Sequence, residues 1–385
     1  MEWIVTDNIY RETWRRMLEF ANVDLTLERI ERSHRQAAPQ RANFRKQAQQ
    51  VRVCVLQAKE YFDAARASSL FTSPNHAYYG AVSLASAMML ILGDGTRSLD
   101  YLRKDAKNRH HGLNFSVGCT ANAAASGLRL VENSFAEILT DGHFANWYTT
   151  LPRFGDTTAV VTRHLQARTF VKNLEIVGSF SVPTIEALTG KKRSILDALK
   201  YLPDLSLDLD RYSVGVPQSR CSHELEISPQ GVRAHRWVIH GARSQEDRDA
   251  IVSRFEIHPR FAEGVTCQVD DTHVLGMIIT IRWQGEEMGV LKFPNIREAL
   301  NRDTIVYAHE ADTHEIVDLY FVAYQLSMLA RYFPDLWVSC IEAQCKGAKL
   351  IERGLDVIIQ KLPILALSML SGGLTISTHQ PPWQS

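Results

Sequence analysis

The sequence feature that most constrains the fold is a nearly apolar stretch over residues 78–92, which contains only two serines, Ser83 and Ser86. It is shorter than the roughly 20 residues that a helix needs to cross a bilayer. A helix that is apolar on nearly all sides is buried in a bundle or at a subunit interface. The sequence therefore predicts a buried core helix here, with a dimer interface as the alternative.

More helices are predicted around this stretch. Over residues 40–69, apolar residues recur at steps of three and four, which is typical of an amphipathic helix. Ser73-Pro74 can begin the buried helix, since serine is a good N-cap and proline suits a first turn. A further helical stripe runs over residues 122–139. We therefore interpret residues 1–150 as a helical region.

The rest of the chain changes character twice. Residues 151–210 are mixed and are interpreted as a connector, whereas residues 211–310 show the alternating and short apolar runs of β-strands. Helical spacing returns over residues 311–372, and residues 373–385 are interpreted as a flexible tail. The predicted fold class is α+β, with mainly helical N- and C-terminal parts and a β-rich middle insert.

The charge balance limits the classes of partner. Lys plus Arg and Asp plus Glu each total 43 in 385 residues, so no global positive field is available to hold a polyanion or an anionic membrane. Any contact with nucleic acid must therefore be local. The first residues lack the basic and apolar segments of a secretory signal, so we expect a cytoplasmic protein with no membrane partner.

The six cysteines are scattered without a CxxC pair, so the sequence predicts neither a disulfide framework nor a metal site. Cys340 and Cys345 are five residues apart on a predicted helix, which would place their side chains on different faces. The common dinucleotide, hydrolase and metalloprotease motifs are absent from the sequence. We therefore expect no cofactor.

Short motifs at both ends of the chain resemble one known family. Near the N-terminus these are residues 57–65, Tyr78-Tyr79 at the start of the apolar stretch, and His111-Gly112-Leu113. Near the other end, residues 326–337 contain an Arg-Tyr-x-Pro-x-x-Trp segment that begins at Arg331. The order and spacing of these motifs resemble the YaaC-like family. We interpret the Arg331 segment itself as a helix end covered by aromatic packing.

The N-terminal region is also similar to HEPN domains. That resemblance implies a helical bundle that dimerises and, in active members, cleaves RNA without a metal through an arginine and a histidine separated by four to six residues. Arg103 and His110 have six residues between them, and positions seven apart on a continuous helix lie on nearly the same face. The resemblance implies that His110 acts as acid or base and that Arg103 stabilises the developing charge.

Alternatives stay open for this segment. His111 competes with His110 for the catalytic role, because His111-Gly112 is the pair that matches the YaaC-like pattern. Lys104, Lys107 and Arg109 are candidate RNA contacts, and the alternative for them is a solvated basic turn. The spacing is weakly specific, since it recurs from Arg29 to His34, from Arg233 to His240 and from Arg302 to His309.

Two functions follow as expectations. The first is a YaaC-like, HEPN-related protein that binds or cleaves RNA as a metal-independent endoribonuclease in stress or phage defence, working as a homo-oligomer. The alternative is a non-catalytic assembly or regulatory subunit that recognises a protein partner or a small ligand. A nuclease should place Arg103 with His110 or His111 on one exposed face, whereas a scaffold would bury or separate them.

Overall fold

The structure is a computed structural model, and it describes residues 2–34, 41–151, 157–166, 169–178, 183–215, 218–227, 233–242, 245–254, 266–270, 277–284, 296–301, 303–307, 313–372 and 375–378. The chain divides into two compact units. Unit 1 contains Met1–Pro152, Pro183–Leu199 and Ile316–His379, and unit 2 contains Arg153–Val182, Lys200–Glu315 and Gln380–Ser385. The two helical ends of the chain therefore belong to one unit.

The helices lie mainly toward the two ends of the chain. In chain order they are α1 (Ile9–Met17), α2 (Val23–Ser33), α3 (Arg41–Ala67), α4 (Ser73–Leu92), α5 (Leu99–Lys104), α6 (Ala121–Ala124), α7 (Arg129–Glu132), α8 (His143–Tyr148), α9 (Ile185–Leu188), α10 (Ile195–Leu199), α11 (Ser206–Arg211), α12 (Gln245–Arg254), α13 (Glu315–Tyr332), α14 (Pro334–Glu342) and α15 (Lys346–Ser371). Short 3₁₀ turns cover Leu18–Ala21, Ala106–Asn108 and Pro203–Leu205.

The strands lie mainly in the middle of the chain. They are β1 (Glu2–Val5), β2 (Leu113–Val117), β3 (Ser134–Ile138), β4 (Thr157–Gln166), β5 (Thr169–Gly178), β6 (Lys192–Ser194), β7 (Gln218–Ile227), β8 (Arg233–Ala242), β9 (Thr266–Asp270), β10 (Met277–Gln284), β11 (Ile296–Glu298), β12 (Thr304–Tyr307) and β13 (Thr375–Thr378). The fold class is α+β, with helical ends and a middle that contains most of the strands, as the sequence predicts.

Unit 1 is built around α3 and α4, which pack against each other along their lengths. Close approach is possible because Gly80 has no side chain, and a Cβ there would lie 2.7 Å from the ring of Phe62. Nearly all of α4 from Ala77 to Ile91 is buried within the unit. The core interpretation of this apolar helix is therefore confirmed.

The central helix α13 joins the helices of unit 1 to a small sheet. Asp318 is fully buried, and its carboxylate accepts a hydrogen bond of 2.6 Å from Nη1 of Arg193. That partner is needed because a buried carboxylate is costly without a compensating charge. On the side toward α4, Ser327 Oγ donates to Asn75 Oδ1 at 3.1 Å. These polar contacts fix the rotation of α13 between the sheet and α4.

The small sheet of unit 1 corrects the prediction of an all-helical N-terminal region. Strands β2, β3 and β6 form an antiparallel sheet in the order β2-β3-β6, with Phe115 opposite Ala136. The helix expected over residues 122–139 is instead two short helices, α6 and α7, followed by β3. Along β3, buried residues alternate with partly buried ones, which is the two-residue period of a strand and not the helical period.

Unit 2 contains an eight-stranded sheet, in which the main path runs β11-β12-β7-β8-β10-β9. The hairpin of β4 and β5 joins it through a parallel pairing of β4 with β7. These two strands fall in the predicted connector, where no strand is expected, whereas β7, β8 and β10 confirm the β-rich prediction. Arg297 is almost fully buried in this unit and donates to the carbonyls of Tyr201 (2.6 Å) and Thr313 (2.7 Å).

The last three helices, α13, α14 and α15, follow one another closely in the chain. Helix α13 ends before Pro334, where α14 begins, as expected from the proline. Beyond it, α15 is long and apolar enough to cross a membrane by length and composition, and 67% of its most apolar window is buried inside the protein. A core helix passes the same test.

The predicted flexible tail is wrong for Thr375–Thr378, because β13 pairs in parallel with β1. The rest of the predicted tail lies outside the described residues.

Candidate functional site

The turn over residues 110–112 is fixed by the start of α8. The backbone N–H groups of His143 and Phe144 donate to the carbonyls of His110 and His111, each at 2.9 Å. Gly112 has a φ of +77°, and a Cβ there would lie 2.9 Å from the backbone N of Phe144. Only glycine combines this conformation with such close backbone packing. The His-Gly pair of the family pattern therefore has a physical reason.

His110 is held in this turn by both of its ring nitrogens. Gly112 N–H donates to Nδ1 at 3.1 Å, so this nitrogen carries no proton. The other nitrogen, Nε2, lies 2.9 Å from Oδ1 of Asp141 and donates to it. Although the side chain is 42% exposed, no ring nitrogen is left to act on a substrate.

His111 points the other way, into a group of aromatic side chains. Its Nδ1 lies 2.8 Å from the hydroxyl of Tyr78, and its ring lies 5.7 Å from the ring of Tyr324. The side chain is only partly buried. Burial lowers the pKa of His111, and the positive charge of Arg331 lowers it further. The imidazole is therefore neutral at neutral pH.

Behind His111, aromatic and polar contacts continue through the interior of unit 1. The ring of Tyr78 packs edge-on against the ring of Tyr320 at 5.7 Å, and the hydroxyl oxygen of Tyr320 lies 3.2 Å from Nδ1 of His143. Nε2 of His143 lies 3.0 Å from Oγ of Ser86. Burial lowers the pKa of His143 to about 4 and raises the pKa values of both tyrosines. His143, Tyr78 and Tyr320 are therefore uncharged near neutral pH.

Ser86 sets the direction of the hydrogen bonds on both sides of His143. Ser86 Oγ donates its single proton to the carbonyl of Val82 at 2.9 Å, so it must accept from Nε2–H of His143. A neutral imidazole carries one proton, which leaves Nδ1 of His143 as an acceptor for the hydroxyl of Tyr320. The protons here are assigned from the hydrogen-bond network.

The hydroxyl of Tyr78 holds the other histidine of the group, since it lies 2.8 Å from Nδ1 of His111. A tyrosine hydroxyl can accept from Nδ1–H or donate to an unprotonated Nδ1. Within the part of the chain that the structure describes, Nε2 of His111 has no hydrogen-bond partner. One ring nitrogen of this partly exposed histidine is therefore held by the protein, and the other is open to a ligand.

Arg331, at the end of α13, supplies a positive charge beside this imidazole. Its Nη1 donates to the hydroxyl of Tyr79 at 2.8 Å, and its guanidinium lies 5.1 Å from the ring of Tyr332. Within the part of the chain that the structure describes, no carboxylate pairs with it. Tyr79 and Tyr332 are 38% and 63% exposed. We define the His111 cluster by its seven side chains, which are Tyr78, Tyr79, His111, His143, Tyr320, Tyr324 and Arg331.

The segment with the predicted Arg-His pair is not a continuous helix. Because α5 ends at Lys104 and a 3₁₀ turn follows Asp105, the two-turn spacing that would align Arg103 with His110 is not formed. Arg103 instead lies 3.8 Å from Asp100 and is 74% exposed. Two further expected contacts, Lys104 and Lys107, are also exposed.

Arg109 completes this basic segment. Its Nε donates to the carbonyl of Arg103 at 2.9 Å, and the side chain is exposed. The segment from Arg103 to Arg109 thus holds four cations and one carboxylate, Asp105, directly before the two histidines. It is a local positive surface on a chain of zero net charge.

The cluster joins motifs that are far apart in the sequence. Tyr78-Tyr79 and His111-Gly112 come from the N-terminal part, and Arg331 comes from the C-terminal segment. The tyrosines of α13 and His143 carry no motif in the sequence and could be identified only from the structure. Among the residues that the structure describes, no group of three or more His, Cys, Asp or Glu side chains could hold a metal ion.

The fold and the site define an α+β protein whose helical unit carries a histidine, tyrosine and arginine cluster. The family described as YaaC-like Protein matches residues 19–370. The chain therefore belongs to the YaaC-like family. Neither the curated proteins nor the solved structures gave a significant match. None of the comparisons shows a likeness to HEPN domains.

Proposed function

We propose that the protein binds single-stranded RNA at the His111 cluster and cleaves it without a metal, with His111 as the general base. The observation that carries the proposal is that Nδ1 of His111 is held by Tyr78 while Nε2 has no partner among the described residues, near the charge of Arg331. In the reactive tautomer, Nδ1–H donates to Tyr78 and Nε2 is unprotonated. A neutral imidazole accepts a proton, and a guanidinium binds phosphate oxygens in a bidentate manner. These are the two groups that cleavage of RNA by its own 2′-hydroxyl needs.

The proposed reaction is an internal transesterification. Nε2 of His111 takes the proton of the 2′-hydroxyl, and the 2′-oxygen forms a bond to the adjacent phosphorus. Arg331 stabilises the negative charge that builds up on the phosphoryl oxygens. The bond from phosphorus to the 5′-oxygen breaks, and solvent protonates the leaving oxygen. The products are a 2′,3′-cyclic phosphate and a 5′-hydroxyl, and His111 returns its proton to water.

RNA is favoured over a small anion by what surrounds the cluster. The exposed rings of Tyr79 and Tyr332 lie beside Arg331, and exposed aromatic rings stack on unpaired bases. The basic segment from Arg103 to Arg109 offers contacts to the phosphate backbone. We assign Lys104, Lys107 and Arg109 to this role, and Arg103 to binding and not to catalysis.

A second candidate is a non-catalytic RNA-binding or regulatory subunit. It is favoured by the fact that Arg103 and His110 do not form the expected pair, since Arg103 lies beside Asp100 and both ring nitrogens of His110 are engaged. In this case the His111 cluster would hold RNA or another anion without cleaving it. Binding and cleavage must therefore be measured separately.

The test uses purified full-length protein and end-labelled RNA in the presence of a chelator. We expect cleavage that leaves 2′,3′-cyclic phosphate ends. His111→Asn should lower the cleavage rate by about 10²- to 10⁴-fold, the usual contribution of a general base. The asparagine amide can still donate to Tyr78, so RNA binding should change only a few-fold.

The neighbouring histidine provides the control. A folded His110→Asn variant should keep the cleavage rate within a few-fold, because His110 has no ring nitrogen available for substrate. Replacing Lys104 and Lys107 together by Ala should weaken the binding of RNA whatever its sequence. The salt dependence of RNA binding should also decrease. Binding without cleavage would support the regulatory subunit, and folded protein that does not bind RNA would contradict both candidates.

A further inference from the structure

The corner between α14 and α15 brings two cysteines together. After α14 ends at Glu342, the backbone reverses through Gln344, which has a left-handed φ of +50°, and Cys345 is the N-cap of α15. As a result, Sγ of Cys340 lies 3.6 Å from Sγ of Cys345. The expectation that the two side chains lie on different faces is wrong, because it assumed one continuous helix.

The two thiols differ in access to solvent. Cys340 is fully buried, whereas Cys345 is partly exposed at the helix start. The sulfur of Cys345 has only weak further contacts, at 3.8 Å from the carbonyls of Ala124 and Cys340. A disulfide bond is about 2.05 Å long, so the sulfurs must approach by roughly 1.5 Å. The weak contacts of the Cys345 sulfur leave it free to make this approach.

We propose that Cys340 and Cys345 are a redox-modification site, at which a low-molecular-weight disulfide such as glutathione disulfide oxidises the pair to an intramolecular disulfide. The Cys345 thiolate attacks one sulfur of glutathione disulfide, which releases the first glutathione and leaves a mixed disulfide on Cys345. Cys340 then loses its proton and attacks Sγ of Cys345, which releases the second glutathione. Two protein thiols are oxidised, and one glutathione disulfide is reduced to two thiols.

The order of the two steps follows from the environment of each thiol. Burial raises the pKa of Cys340, and the neighbouring Cys345 raises it further. Cys340 is therefore a poor first nucleophile, but it is placed to resolve a mixed disulfide on Cys345. Since closure needs the Cys340 thiolate, its rate should rise with pH.

The pairing is selective among the cysteines that the structure describes. Cys54 and Cys221 are buried, and burial raises the pKa of Cys54 to about 12. Cys119 is partly exposed, and it lies near enough to Cys340 for its charge to raise the pKa of that thiol. Among these described cysteines, Cys119 is therefore the competitor to be controlled.

The experiment incubates the full-length protein with glutathione disulfide and then blocks the remaining thiols. Digestion with trypsin gives one peptide, residues 332–346, that contains both cysteines and no others. We expect this peptide to lose two hydrogens and to resist the blocking reagent, and dithiothreitol should reverse both effects. The yield at a fixed time should increase from neutral to mildly alkaline pH.

Variants make the result decisive. Cys340→Ala should trap a glutathione adduct on Cys345, and Cys345→Ser should leave Cys340 unmodified in folded protein. Cys119→Ser should not change the closure of the pair. A wild-type peptide that stays reduced, that stops at the glutathione adduct, or that is linked to Cys119 would overturn the proposal.

Discussion

His110 and His111 are adjacent in the chain, but the structure gives them opposite environments. His110 is the more exposed, and yet Gly112 and Asp141 occupy both of its nitrogens. His111 is the more buried, and yet Nε2 has no partner among the residues that the structure describes. The comparison teaches that exposure alone does not show which histidine has a ring nitrogen open to a ligand. A base needs one nitrogen fixed by the protein and the other left for the substrate.

The prediction with the largest expected effect concerns His143, which lies buried between the hydroxyls of Tyr320 and Ser86. The pKa of His143 is about 4 in the folded protein, below the ordinary value of 6.5. Between these two pH values, the unfolded state binds more protons than the folded state. The contribution of His143 to the free energy of unfolding is therefore fully present above about pH 6.5 and is lost as the pH falls toward 4. The full contribution is about 3 kcal/mol.

This effect can be isolated with a matched variant, His143→Asn, which keeps an acceptor for Tyr320 but does not titrate. Urea unfolding should show that wild type loses about 2 kcal/mol more stability than the variant between pH 7 and pH 5. Equal losses in the two proteins would mean that His143 is not held neutral. The assigned direction of its hydrogen bonds with Tyr320 and Ser86 would then be wrong.

The next effect tests the turn around His110. Gly142 has a φ of +93°, and a Cβ there would lie 2.5 Å from the backbone N of Gly112 and 2.7 Å from the His110 ring. We expect Gly142→Ala to destabilise the protein by about 2 kcal/mol in urea unfolding. At Gly118 no atom lies within 4 Å of an added Cβ. Gly118→Ala should change stability by less than about 0.5 kcal/mol, and equal effects would contradict the structural role of the turn.

The smallest effect sharpens the role of His111. Tyr78→Phe removes the hydroxyl that accepts from Nδ1–H of His111 in the proposed reactive tautomer. We expect the cleavage rate to fall about tenfold, since one neutral hydrogen bond contributes about 1 to 1.5 kcal/mol to the preference for the reactive tautomer. RNA binding should not change. A rate equal to that of wild type would show that Tyr78 does not orient the base.

Long helices could be predicted from the sequence, whereas short elements in unit 1 could not. The apolar spacing over α3, α4, α13 and α15 persists for many turns, so the helical period is clear. In contrast, β3 has only five residues, and Val131, Phe135 and Ile138 happen to fit a helical stripe. A few residues do not distinguish the two periods, and the pairing of β3 with β2 and β6 decides between them.

The site was only partly predictable for a related reason. His111 could be selected because the His-Gly pair matches a family pattern, and Arg331 belongs to the second pattern. However, the sequence favoured a packing role for Arg331, and the structure shows that its charge also acts on His111. Tyr320 and His143 could not be paired from the sequence, since they are brought together only by the packing of α13 against α8.

The discontinuous composition of unit 1 has a consequence for biosynthesis. Tyr78 on α4 packs against Tyr320 and Tyr324 of α13, and α4 also contacts α15. At 5 to 20 residues per second, a ribosome needs roughly 10 to 30 seconds to make the chain between Pro152 and Ile316. During that interval the apolar helix α4 is synthesised but lacks its C-terminal packing partners. The nascent chain therefore leaves the apolar surface of α4 uncovered until its last helices emerge.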